Sequence, residues 1–255
     1  MVNINQNKIV KENSSAYPAA GFPITVFFPC YNEQDNVEKT TKKTVEVLEN
    51  IKADYEIIIV NDGSADNTKQ IAESLAQGNN RIKVINHAVN RGYGGALQSG
   101  YRAASKKYVF YTDGDGQFDI SEMPSLIHLM DQFDIVTCYR LDRKDNISRK
   151  LNAFAWTKLV CFLFKMKIRD IDCAFKLFKT DIFKNIDMVS NGALIDTEVL
   201  ARATKAGYKI TQVGVHHFPR TAGTQTGANF KVILRAFSEL FKLYREIKNT
   251  SPRQS

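Results

Sequence analysis

The feature that most constrains this chain is an alternation between short apolar runs and longer amphipathic stretches. "ITVFF" (24–28), "YEIIIV" (55–60) and "YVFY" (108–111) are continuous, β-branched and aromatic, which suits strands covered on both faces. "IKVI" (82–85) is a further strand candidate. Helical patterns fill the spaces: from about 33 to 51, from about Asp66, and through a Gly-rich turn to about Lys106. Strands separated by helices of about a dozen residues predict an α/β domain with a mostly parallel central sheet and helices on both faces. Such sheets bind ligands at their C-terminal strand ends. "PCYNE" (29–33), "NDGSADNT" (61–68), "NRGYGG" (90–95) and "DGDGQ" (113–117) all fall there, so the four should meet on one rim.

The cluster after the fourth strand has the plainest chemistry. Asp113 and Asp115 are two apart, so in extended backbone both carboxylates point one way and repel unless a cation sits between them. Gly114 and Gly116 leave bare backbone that a bulky ligand can approach, and Gln117 adds a neutral oxygen. Oxygen ligands in this number suit Mg2+ or Mn2+, with phosphate and water completing the shell. The alternative is a polar turn with solvated acids. Asp62 at a strand end can accept from the N–H groups of a nucleobase; its alternative is an Asx turn or helix cap, which fits Asp66 better. Tyr31, after Pro29, is placed to stack on a base. Glu33 is placed to hold a ribose hydroxyl, or equally to face the dipole of the following helix.

Taken together, Pro-x-Tyr-Asn-Glu, Asp-Gly-Ser-x-Asp-x-Thr, Asn-x-Gly-x-Gly-x-Ala and Asp-Gly-Asp-Gly-Gln resemble family 2 glycosyltransferases. The likeness is strongest to polyprenyl- or dolichyl-phosphate sugar synthases and runs from about Ile24 to Gly227. It implies a GT-A-type nucleotide-diphospho-sugar transferase fold. It also implies that Asp113, Asp115 and Gln117 hold the divalent metal on the donor pyrophosphate, with Pro29, Tyr31, Glu33 and Asp62 around the nucleoside. "DIDCAFKLF" (170–178) is similar to the family's Asp-x-x-x-x-Phe-Arg stretch, with Lys176 in the place of Arg. "HHFPRTAGTQTG" (216–227) is similar to its Arg-x-x-Gly-x-Ser-Lys loop, with Thr226 in the place of Lys.

The implied reaction moves a sugar, with inversion, from a UDP- or GDP-linked donor to a polyprenyl monophosphate. A phosphate monoester is largely dianionic near neutrality, its second pKa being about 6. It therefore needs cations rather than a base, and Arg140, Arg149, Lys176 and Arg220 are the candidates for that clamp. Ordinary surface basicity is their alternative. Asp196 and Glu198 read as positioning or structural acids, and His216 and His217 either pack or touch the donor. A family 2 enzyme acting on a sugar or protein hydroxyl, with Asp196 as base, is the competing enzyme. A processive polysaccharide synthase is disfavoured because Trp156, the one tryptophan, has no Gln-x-x-Arg-Trp setting.

Charge and hydropathy bear on the partner. The chain is +8, and residues 140–179 carry eleven Lys or Arg against four acids, so an anionic partner is expected. A nucleic-acid module would leave the four rim motifs unexplained, and neither a P-loop nor G-x-G-x-x-G occurs. The segment 148–169, and Phe230, Ile233, Phe237, Leu240, Tyr244 and Ile247 at helical spacing, either lie in a membrane interface or pack on the core or a second subunit. No leader-like h-region and no run of 18 apolar residues occurs; "LNAFAWTKLVCFLF" is interrupted by Lys158. Cys30, Cys138, Cys161 and Cys173 lack zinc spacing and read as reduced, mostly buried thiols. The expected protein is cytoplasmic, with a tail at 1–21, one domain at 22–227 and an amphipathic helix and tail at 228–255. It would bind the inner membrane face or a separate membrane subunit. Nothing in the sequence sets an oligomeric state.

Overall fold

The computed structural model describes residues 20–141, 147–219 and 230–249. Its centre is a seven-stranded sheet in the order β3-β2-β1-β4-β6-β5-β7. The first half contributes β1 (Pro23–Cys30), β2 (Asp54–Asn61), β3 (Ile82–Asn86) and β4 (Tyr108–Thr112). These four are mutually parallel where they pair. They alternate with α1 (Val37–Asn50), α2 (Thr68–Gly78) and α3 (Tyr93–Ala103). The edge position of β3 explains why "IKVI" tolerates a lysine where β1 and β2 do not. The helix expected from residue 33 starts at Val37, because the Glu33 carbonyl closes a turn with the amides of Asn36 and Val37.

A 3-10 stretch, Ile120–Asp131, leads into the second half. There follow β5 (Ile135–Leu141), α4 (Ile147–Phe164), β6 (Phe175–Lys179), the single turn α5 (Ile182–Asn185), α6 (Ile195–Lys205), β7 (Ile210–His216) and α7 (Phe230–Asn249). β6 runs antiparallel to both β4 and β5, while β5 and β7 are parallel. The N-terminal end of β6 therefore lies on the same rim as the C-terminal ends of β4 and β5.

Strand alternation sorts the interior into two layers. Ile24, Val26, Phe28, Ile57, Ile59, Phe110, Phe175 and Leu177 fill one side of the sheet. Phe27, Ile58, Val60, Val109, Tyr111 and Phe178 fill the other, together with Leu240, Leu243 and Ile247 of α7. Helix α3 sits close to the second layer because Gly100 faces the Phe27 ring, where a Cβ would come within 2.2 Å of the ring carbon Cδ2. Phe27 is itself wedged between the rings of Tyr101 and Tyr111 at 4.9 and 5.7 Å. Alanine favours a helix over glycine by about 1 kcal/mol, but overpacking a locked core typically costs about 1–3 kcal/mol. Gly100→Ala is accordingly expected to lower the denaturant midpoint, and an unchanged or raised midpoint would show that α3 can move away from the sheet.

Candidate active site

The four rim clusters touch one another. The amide of Asp62 donates to the Cys30 carbonyl at 2.9 Å, and the Glu33 amide donates to Thr68 Oγ1 at 2.8 Å. The Arg91 amide donates to Asp62 Oδ1 at 2.9 Å, and the Tyr93 hydroxyl donates to Asp113 Oδ1 at 3.0 Å. These links follow from the parallel register, which brings the ends of β1, β2 and β4 side by side.

On the β1 side, Tyr31 is 46% exposed and Pro29, the penultimate residue of β1, is half-buried. Glu33 is buried and its Oε2 accepts from Asn36 Nδ2 at 2.7 Å, ahead of α1 and not within it. Asp62 is buried too, with His87 Nδ1 at 2.6 Å from Oδ1. The capping role falls to Asp66, whose Oδ1 accepts from the amide and hydroxyl of Thr68 at the start of α2. Thr68 and Gln34 donors hold the Asp66 carboxyl below its ordinary value despite the opposing effect of burial.

Asp113 and Asp115 follow β4 in a tight turn. Gly116 has φ 72°, which a side chain would strain. Gly114 has a different reason from the expected ligand approach: a Cβ there would meet Cys30 Sγ at 2.7 Å and the Pro29 carbonyl oxygen at 2.9 Å. The Cys30 sulfur and the Pro29 carbonyl occupy that space. The Asp115 side chain accepts from the Gln117 amide at 3.0 Å. Gln117 Nε2 donates to the Phe218 carbonyl at 3.0 Å, and the Phe218 amide returns a bond to the Gln117 carbonyl at 2.8 Å. The amide oxygen of Gln117 has no partner among the described residues. His217 stacks edge-on to Phe118 with centroids 4.9 Å apart, and His216 is bonded through its amide and Nδ1 to Glu122.

The expected acceptor clamp is rearranged. Lys176 is 0% exposed. Directly opposite Tyr111 in the β4–β6 ladder, it donates to Tyr111 Oη at 3.0 Å, Cys173 carbonyl at 2.6 Å and Asp196 Oδ1 at 2.8 Å. Tyr111 also bonds Asp196. Lys176 is thus an interior cation and not a surface contact for a phosphate. Arg140 makes a two-pronged pair with Asp170, Nε to Oδ2 at 2.7 Å and Nη2 to Oδ1 at 2.8 Å, so its fork is already engaged. Glu198 is buried and accepts from the amides of Val189 and Ser190 and from Arg202 Nε, which ties α6 to the loop before it. Arg149 lies on α4 with its side chain outside the described residues, and Arg220 lies outside them altogether.

Tyr93 and His87 had no place in the sequence reading. Tyr93 was visible only as an aromatic inside a Gly-rich turn, and His87 only as the residue after a strand. Phe218, exposed beside Gln117, has no role legible in the sequence of its loop.

The sequence profile of glycosyl transferase family 2 matches residues 25–187. The chain is 33% identical over 216 residues to glycosyltransferase AglD of Haloferax volcanii, covering 81% of this chain and 35% of that protein. It is 29% identical over 166 residues to undecaprenyl-phosphate 4-deoxy-4-formamido-L-arabinose transferase of Edwardsiella ictaluri, covering 63% of this chain and 50% of that one. The chain thus spans between about a third and a half of these relatives' length. Mannosyl-3-phosphoglycerate synthase from Rubrobacter xylanophilus superposes with a TM-score of 0.71 at 15% identity, over 92% of this chain and 77% of that chain. Glucosyl-3-phosphoglycerate synthase from Mycobacterium tuberculosis, in complex with Mn2+, UDP and glucosyl-3-phosphoglycerate, superposes with 0.62 at 17%, over 97% and 82%. At these identities the two structures speak for the fold, which is GT-A.

The electrostatics of the acidic pair are consistent with a cation. Burial first, and then the neighbouring Asp115, push the Asp113 carboxyl up to about 7, against the opposing bond from Tyr93. Among the described residues no three His, Cys, Asp or Glu side chains gather on one centre. A cation here would take the rest of its shell from phosphate and water. It would also have to displace the proton of Asp113. Apparent Mn2+ affinity, titrated calorimetrically in the presence of a nucleoside diphosphate, is therefore expected to rise by up to about tenfold per pH unit below about 7 and to level off above it. A flat profile across that range would remove Asp113 from the cation site.

Proposed function

The chain belongs to glycosyl transferase family 2, and from that premise we propose that it transfers a sugar, with inversion, from a UDP- or GDP-linked donor to a polyprenyl or dolichyl monophosphate. The observation that carries the acceptor is the state of Asp196. A hydroxyl acceptor needs a base, and the carboxylate expected for that task is buried and bonded by Lys176 and Tyr111. A phosphate dianion attacks without one.

In this reading Tyr31 and Pro29 flank the nucleoside, Glu33 meets the ribose and Asp62 the base. Asp113, Asp115 and the Gln117 amide oxygen would hold Mg2+ or Mn2+. When bound, the ion neutralises charge that grows on the departing nucleoside diphosphate. Tyr93 fixes the Asp113 carboxylate, and the Gln117–Phe218 bonds close the loop over the same corner. Arg149 and Arg220 are the cations proposed for the acceptor phosphate. Arg140 is assigned a neutral rim pair with Asp170.

A second reading has one observation in its favour. Asp172 lies just ahead of β6 on the rim, and its carboxyl is pushed up to about 6 by desolvation first and then by Asp196 and Asp170, against the opposing charges of Arg140 and Lys176. It is poised as a base for a hydroxyl acceptor. The two readings separate in transfer assays with matched acceptors. Asp115→Asn is expected to lower kcat by about a hundredfold or more in either case, with the fold intact. Asp172→Asn is expected to stay within about threefold on a polyprenyl phosphate; a loss of about 10²–10⁴-fold, the usual worth of a general base, would transfer the assignment to the hydroxyl reading.

The lipid side of the proposal rests on α4 and α7. Helix α4 is apolar on both its faces: Val160 is buried, whereas Phe154 and Phe162 are 59% and 82% exposed. Trp156 meets Phe237 of α7 with ring centroids 5.4 Å apart, and Phe237 and Phe241 are exposed beside it. Lys158 lies over the Phe154 ring at 5.3 Å, and Lys165 and Lys167 are exposed at the helix end. No described helix is long and apolar enough to cross a membrane. We assign this face to the cytoplasmic membrane surface, or to a separate membrane subunit. Fully burying a phenyl group is worth about 1.5–3 kcal/mol, so Phe154→Ser with Phe162→Ser is expected to cut sedimentation with anionic vesicles by about tenfold or more while nucleotide affinity holds. Unchanged vesicle binding would favour the docking subunit.

A further inference from the structure

His87 directly follows β3, on the rim, beside the end of β2, which Asp62 follows. Its amide donates to the Asn61 carbonyl at 2.9 Å, which fixes the backbone. Its side chain is 5% exposed and that of Asp62 is 3% exposed. Nδ1 is 2.6 Å from Asp62 Oδ1 and Nε2 is 2.9 Å from Ser99 Oγ on α3. A carboxylate only accepts, so Nδ1 carries the proton. The same oxygen, Oδ1, receives the Arg91 amide at 2.9 Å. Two N–H groups thus fill Oδ1. Oδ2 has no partner among the described residues.

Resting on the proposal that Asp62 meets the nucleobase, we infer that His87 is a positioning residue that selects uracil over guanine in the donor. Guanine offers two adjacent donors, a ring N–H and an amino N–H, which both oxygens of an open carboxylate would accept. Uracil offers one, its ring N–H between two carbonyls. With Oδ1 filled, Asp62 has a single acceptor left, which matches uracil and strands one guanine donor. Cytosine and adenine set an unprotonated ring nitrogen against the carboxylate. Leaving a buried donor without an acceptor is penalised, so a discrimination of about tenfold or more is expected.

Calorimetric titration of UDP, GDP, CDP and ADP, each with Mn2+, tests this. Wild type is expected to bind UDP about tenfold or more tightly than GDP. His87→Leu removes the donor and is expected to narrow that ratio toward unity. His87→Asn, which returns an N–H near the position of Nδ1, is expected to restore it, a pattern that mere loss of packing would not give. Thermal melts of the nucleotide-free proteins show which variants fold; should His87→Leu not fold, the wild-type panel and His87→Asn decide. GDP binding as tightly as UDP to wild type overturns the inference and leaves the donor site standing. So does a folded His87→Leu with an unchanged ratio. Failure of all four nucleotides to bind overturns the donor-site proposal and this inference with it.

Discussion

Two like charges at the end of β4 are the constraint around which the rest of the site is arranged. Asp115 is buried and Asp113 partly so, and the two are close enough in space to repel. Gly114 is backed against Pro29 and Cys30, so the turn cannot retreat toward β1. Tyr93 grips Asp113 from α3, and the Gln117 amide grips Asp115. Without a cation the pair is a cost. The folded state keeps a proton on Asp113 up to about 7, whereas the unfolded chain releases it near 3.8. Stability from this group is therefore lost as pH rises through that interval, and the loss is complete above about 7. A site that is destabilising when empty favours whatever neutralises it.

Lys176 works on the same problem from beneath. Burying an ammonium is expensive unless every donor is satisfied. Here three oxygens, from Tyr111, Cys173 and Asp196, take its three N–H groups. The positive charge opposes the upward shift of Asp113, while Asp196 adds to it. The ion pair is close to neutral overall, so its main effect is geometric. It ties β4, β6 and α6 together directly behind the acidic turn. The reversed strand makes this possible, because only an antiparallel β6 sets Lys176 opposite Tyr111.

Much of this was legible from residue order. The unbroken apolar runs of β1, β2 and β4 announced a doubly covered parallel sheet, and period-two alternation placed Phe27 and Phe28 in opposite layers. The rim clusters were legible because strand ends are where such runs stop. The fate of Lys176 was not. A lysine in "DCAFKLF" reads as surface charge until the register with β4 is known, and that pairing spans 65 residues of sequence. The Arg140 pair was not legible for the same reason, since its partner Asp170 is 30 residues away. His87 was invisible because its role comes wholly from Asp62 and Ser99, which reach it from other elements.

The fold is shared with enzymes named for making sugar phosphoglycerates, so the sheet cannot by itself specify a lipid acceptor. That information must lie in what surrounds them. The family profile ends at residue 187 and already includes the rim, Lys176 and α4. Beyond it come α6, β7 and α7, of which Leu240, Leu243 and Ile247 enter the core while Phe237 and Phe241 stay outside. An ordinary surface helix buries one apolar face and solvates the other. Helices α4 and α7 instead meet through Trp156 and Phe237 and turn further phenyl groups outward, with Lys158, Lys165 and Lys167 exposed on and just beyond α4. Apolar rings among lysines are poorly matched to water and well matched to an anionic lipid interface. In the proposed function, this external face, and not the architecture of the sheet, would present the protein to a membrane-borne acceptor.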